Sequence, residues 1–210
     1  MKISFAKDGN WKEQMFTAYS YRFTETPEFT QLDDCITTAV NPDHREGFDN
    51  ISLLTRERYE LGVTATLRCA FEDLGCPEII LVEEPEQCAD GAVRYGGCFE
   101  VIPWKNGMNV WRHFREEDGC CHWHIRLWLT FPLAEKDIHE LKGQVLDKQL
   151  VITLNGSRTI LRTEDLPHKF HLGVTGCEGI ARMYDLDIVP GEGEYKRLKD
   201  FVPANFSNDI

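Results

Sequence analysis

The sequence predicts a single all-β domain, an antiparallel sandwich or barrel, from three observations. Apolar residues recur at every second position through several runs, the period of a half-buried strand. Turn pairs such as Asn-Gly punctuate those runs at short spacing. No run carries the 3.6-residue apolar period of a long helix. The 210 residues suit one domain, because all-β folds commonly reach about 200–250 residues as a single unit. One domain over residues 1–210 is expected, with its core between Phe48 and Ile188 and an irregular tail over 190–210.

The elements follow in order. From Tyr59 onward, Leu61, Val63, Ala65, Leu67 and Cys69 share one face, opposite Glu60, Gly62, Thr64, Thr66 and Arg68. The run from Pro77 to Glu84 is apolar at successive positions and predicts a strand covered on both sides. Tyr95–Trp104 and Met108–Phe114 flank Asn106-Gly107, which predicts a hairpin with a type I′ turn. The most regular strand follows. Cys121, Trp123, Ile125, Leu127, Leu129 and Phe131 share the face expected to be buried, and His122, His124, Arg126, Trp128 and Thr130 share the other. Ala134–Leu141 reads as a short helical turn or a loop. Gln149–Leu154 and Ser157–Arg162 form a second hairpin around Asn155-Gly156. Phe170–Thr175 and Gly179–Ile188 are the last strands.

A formal charge of -12 repels phosphate backbones and anionic lipid. No nucleic-acid partner and no membrane association are expected, and no run approaches the ~20 apolar residues of a membrane span. The first residues contain no apolar stretch of signal-peptide length, which predicts a cytoplasmic protein. Its eight cysteines include no CxxC pair. In that compartment they are expected to be reduced and mostly structural.

Two segments carry a family likeness. Phe99-Glu-Val-Ile-Pro-Trp-Lys-Asn-Gly-Met-Asn-Val-Trp-Arg112 resembles the paired central strands of the concanavalin A-like lectin and glucanase superfamily. Phe170 to Ile188 resembles its closing strands, which tend to read G-I-x-x-x-E-G-I-x-R-F-Y-D-x-x-I, with Met183 here in place of the Phe. The likeness spans roughly Phe48 to Ile188. It implies a two-sheet antiparallel jelly-roll β-sandwich with a concave face on which relatives usually hold carbohydrate. It implies no particular activity, since the superfamily holds lectins, hydrolases and lyases.

Sugar recognition needs a flat apolar platform for C–H faces and planar hydrogen-bonding groups for hydroxyls. The expected polar face of the regular strand offers His122, His124, Arg126 and Trp128, and the preceding hairpin adds Trp111 and His113, with Glu100 and Trp104 on its first strand. Seven of these, all but Trp104, are the candidate ligand-binding set on one concave face. His122 and His124, with Cys120 beside them, have the i, i+2 spacing of metal ligands. They lack the following Glu of His-x-His jelly rolls and read as hydrogen-bonding groups. No metal site and no cofactor are assigned. Glu135-Lys-Asp-Ile-His-Glu140 matches the glucanase string Glu-x-Asp-x-x-Glu, but Lys136 stands where that motif turns a side chain into the core. The expected function is lectin-like carbohydrate binding. The alternatives are a glycan-active enzyme (hydrolase, lyase or isomerase) on the same face, or an assembly subunit such as a homo-oligomer.

Overall fold

The computed structural model describes residues 1–21, 28–38 and 51–191, so the expected tail beyond Gly191 lies outside the described residues. Two sheets face one another. The eight-stranded sheet runs β16 (Ser157–Arg162), β15 (Gln149–Leu154), β14 (His139–Leu146), β7 (Thr64–Glu72), β18 (Ile180–Val189), β4 (Ile36–Thr37) and β3 (Thr30–Gln31), with β1 (Lys2–Ser4) beside β18. The ten-stranded sheet runs β13 (Cys121–Thr130), β12 (Gly107–Arg115), β11 (Cys98–Trp104), β8 (Cys76–Val82), β17 (Lys169–Cys177), β5 (Ile51–Thr55), β2 (Met15–Ser20), β10 (Val93–Tyr95) and β9 (Glu86–Gln87). In it β6 (Tyr59–Glu60) pairs with β17. Among the described residues pairing is antiparallel except between β10 and β2. A single turn of helix, Trp11–Gln14, precedes β2. No helix among the described residues is long and apolar enough to cross a membrane.

The main core lies between the sheets. Leu67, Leu141, Ile152, Leu186 and Ile188 from one meet Ile79, Leu81, Phe99, Val101, Met108, Val110, Leu172 and Val174 from the other, all buried. The alternate residues of the two sheets then face outward, and those two outer faces differ. On the eight-stranded sheet the outward positions are polar and solvated, among them Thr66, Arg68, Glu140, Lys142 and Asp185. On the ten-stranded sheet the outward positions Ala18, Leu54, Ile80, Val82 and Cys98 are buried again in a second apolar cluster with Tyr95. Strand β8 is therefore covered on both sides, as its unbroken apolar run predicts.

Other expectations change in detail. The strand foreseen from Tyr59 to Cys69 is broken at Gly62, whose φ of 99° only glycine adopts freely, and resumes as β7 through Glu72. Asn155-Gly156 forms the type I′ turn, with φ of 49° and 84°. The other hairpin turns one residue earlier than foreseen, on Lys105-Asn106, because Trp104 pairs with Gly107. Gly107 serves a close approach instead: a Cβ there would lie 1.9 Å from the Leu129 carbonyl oxygen.

The largest correction concerns β13. Val110 pairs with Leu127 but Trp111 pairs with Ile125, so Arg126 is an extra residue, a β-bulge. A bulge inverts the alternation beyond it. Leu127 and Leu129 pack on the core as expected. Trp123 and Ile125 instead stand on the outer face, 51% and 43% exposed, beside His113 and Trp111. His122 and His124 move to the opposite side, where both rings contact Phe114.

His171 lies on the outer face opposite Val82, edge-on to Phe16. Burial lowers its pKa below the ordinary 6.5, although Nδ1–H donates to the Thr55 carbonyl at 2.7 Å. A histidine whose folded pKa is depressed contributes stability that is full above its unfolded pKa, and that stability is lost as pH falls through the folded value. Urea midpoints should therefore decline as pH drops below about 6.5, and His171→Gln should flatten that decline. An unchanged acid limb in the variant would contradict the assignment.

Candidate functional site

Cross-strand partners share a face, so the register lays the outer surface of the ten-stranded sheet out in rows. One row begins with the partners Trp128, Asn109 and Ile102, and the paired residues Glu78 with Thr175 and Ser52 with Ala18 continue its line. The next runs Ile125, Trp111, Glu100, Ile80, Gly173, Leu54, Phe16. A third holds Trp123, His113, Cys98, Val82 and His171. Trp104, at the end of β11, stands beyond the first row with its ring 5.4 Å from that of Trp128 in an edge-on contact.

Four of the five tryptophans in the chain thus occupy one face: Trp104, Trp111, Trp123 and Trp128. Trp123 and Trp128 are half exposed, while Trp104 and Trp111 are more covered. The polar groups lie beneath and between them. Glu100 is buried, and its Oε2 is 2.7 Å from His113 Nε2. Asn109 is buried with its Oδ1 lacking a hydrogen-bond partner among the described residues, and so is the Trp104 indole Nε1. Tyr95 covers the far side, its hydroxyl 2.9 Å from Ser52 Oγ. Burial raises the Tyr95 and Cys98 pKa values well above their ordinary ranges, with Glu100 adding to both, so both groups are neutral at pH 7.

The seven expected ligand residues are therefore divided by the bulge. Glu100, Trp111, His113 and Trp128 share the outer face. His124 and Arg126 line a different, open groove of about 540 Å³ with Glu83, Arg112, Glu164 and His168. There Arg126 is fixed by Asp165 at 2.9 Å and by the Thr163 hydroxyl at 2.9 Å. His122 stacks on Phe114 and also lines a small cavity with Cys98, Glu100 and His113. The spacing of His122 and His124 brings no third metal donor to them among the described residues.

The Glu-x-Asp-x-x-Glu string is not a catalytic strand. Glu135 and Lys136 lie in the loop before β14, with Lys136 exposed, at φ 70°, and 3.3 Å from Glu72. Glu140 is exposed on the eight-stranded sheet.

Sequence reasoning placed Trp104 beside the candidate set and missed Asn109, Trp123 and Glu78 as members of this face. For Glu78 a signal existed: it is a carboxylate within a run otherwise fit for burial on both sides, and buried charge is rare without a role or a partner.

No known family model and no curated protein sequence matches the chain. Solved structures do match. The carbohydrate-binding module CBM66 from Bacillus subtilis superposes with a TM-score of 0.59 at 9% identity, over 78% of this chain and 91% of that one. β-Agarase A from Zobellia galactanivorans gives 0.59 at 7% identity, over 85% and 83%. The fold is the concanavalin A-like jelly roll. The κ-carrageenase from Pseudoalteromonas carrageenovora, solved with an oligotetrasaccharide of κ-carrageenan, shares the jelly roll at a TM-score of 0.54 and 8% identity, over 89% and 92%. At such identities the likeness establishes architecture alone.

Proposed function

We propose that this jelly roll is a lectin-like carbohydrate-binding protein whose binding surface is the outer face of the ten-stranded sheet. The observation that carries the reading is the gathering of four of the five tryptophans on that face, with buried hydrogen-bonding groups between them. Half-exposed indoles give sugar rings a stacking platform, and Asn109 and the Glu100–His113 pair give directional contacts at its floor. Two of the structural neighbours, a carbohydrate-binding module and a carrageenase with bound oligosaccharide, support a glycan as the ligand class. The negative charge of the chain favours neutral sugars over anionic ones. Eight cysteines without a disulfide among them support a cytoplasmic setting.

A glycan array on the intact protein tests the reading. For any hit, Trp128→Ala should weaken binding by about 1–3 kcal/mol with the fold retained. His124→Ala, on the other side of the sheet, should leave affinity unchanged. Equal losses in both variants would contradict the placement.

The enzyme alternative rests on one observation, the buried Glu100–His113 contact at 2.7 Å, an acid–base pair in the floor of the face. A reducing-end assay on each array hit separates the two: product formation abolished by His113→Gln, at nearly unchanged affinity, would establish catalysis. The exposed row Trp123, Ile125 and Trp128 on an edge strand is also the surface an assembly subunit would use. Silence on the array together with a concentration-dependent dimer would favour that role.

A further inference from the structure

Beneath the tryptophan face the Glu100–His113 pair is joined by Cys98, a buried thiol that sugar binding does not explain. Cys98 and Glu100 are two residues apart on β11, so both point outward, and His113 on β12 is directly opposite Cys98. Their ligating atoms all lie within 4.8 Å of one another. The Cys98 thiol is 3.7 Å from Glu100 Oε1, and Glu100 Oε2 is 2.7 Å from His113 Nε2. A cavity of about 10 Å³ adjoins all three, bounded also by Tyr95, Cys121 and His122. That is room for one water-sized atom.

We propose that Cys98, Glu100 and His113 bind one zinc-class divalent ion, with the fourth position opening into that cavity. The donor set selects the metal. Thiolate and imidazole suit zinc and its borderline-soft neighbours, whereas magnesium and calcium require all-oxygen shells. Bond lengths of about 2.0–2.3 Å to these donors place tetrahedral ligand atoms roughly 3.3–3.7 Å apart. The Cys98 sulfur already stands at that spacing from Glu100 Oε1, while Oε2 is the oxygen that faces His113, so the carboxylate has to turn to present one oxygen to the ion. The nitrogen–oxygen pair has to open by roughly 0.7 Å on the same estimate, as the ion replaces the hydrogen that bridges Nε2 and Oε2. Three protein ligands with one open position is the arrangement of ions that carry an exchangeable water.

The balance is simple. The Cys98 thiol loses one proton to solvent as the sulfur–metal bond forms. The proton on His113 Nε2 passes to Nδ1, freeing the Nε2 lone pair, and nothing is oxidised or reduced.

The test uses the full chain, freed of metal by chelation and titrated with cobalt(II) and then zinc. One equivalent of cobalt should produce a thiolate-to-cobalt charge-transfer band in the near ultraviolet, and one equivalent of zinc should remove it. Cys98→Ser should abolish the band, and His113→Gln should weaken cobalt binding at least tenfold. Cys120→Ser, an exposed thiol before β13, should leave both unchanged. Absence of the band at micromolar metal in the unsubstituted chain would overturn the proposal without reference to any variant's folding. A band that survives in Cys98→Ser, or is lost in Cys121→Ser instead, would overturn it equally. Glycan binding is read separately, so failure of either proposal leaves the other standing.

Discussion

Phe99→Ala is expected to remove about 3–5 kcal/mol of stability, the range for emptying a fully buried phenylalanine site. Phe99 has no exposed surface and sits in the core between the sheets. Its strand is enclosed by β8 and β12, so neither neighbour can move in to fill the space without breaking its own pairing. The Arg112 guanidinium lies over the ring at 4.9 Å and is itself held by Glu83 at 2.6 Å. Loss of the ring therefore also leaves a half-buried cation without its aromatic contact. A domain with a typical margin of about 5–15 kcal/mol would lose a large part of it. Urea unfolding of the variant measures the loss directly. A change below ~1 kcal/mol would be incompatible with a ring in a closed core.

Gly107→Ala is expected to damage fold and binding together. The residue has φ of 146°, and its missing Cβ leaves room for the Leu129 carbonyl oxygen. Backbone strain alone costs about 1–3 kcal/mol. A methyl 1.9 Å from that oxygen would add to it by forcing β13 away from β12. The same turn holds the end of β13 through Phe131 N–H to the Asn106 carbonyl at 3.1 Å and Leu133 N–H to the Lys105 carbonyl at 2.9 Å. Displacing this segment would part Trp128 from Trp104. A lower urea midpoint and weaker binding to any array hit should appear in the same variant. Normal stability with normal binding would show that the close approach carries no weight.

Where period two was unbroken and the turn chemistry strong, the sequence alone disclosed the fold. The doubly covered β8 and the Asn155-Gly156 hairpin are cases in point. Strand β14 escaped notice because Gly143 and His139 occupy inward positions of its alternation and weaken its apolar signal. Strands of two or three residues, such as β4 and β10, are too short to show a period at all. The aromatic and polar residues of the site were visible, but their sidedness was not. In β13 the apolar alternation runs without a break from Cys121 to Phe131. The bulge at Arg126 arises in the register with β12, which is a property of two strands rather than one. That single extra residue brings Trp123 to the outer face and moves His124 away from it.

The central claim, that the tryptophan-bearing outer face holds the ligand, is tested most directly by the indole N–H signals of the five tryptophans in a nitrogen-15 correlation spectrum. With an array-selected glycan added, the signals of Trp104, Trp111, Trp123 and Trp128 should move together, and that of Trp11, on the short helix away from this face, should stay in place. A bound glycan that shifts Trp11 alone, or leaves all five indoles still, would contradict it.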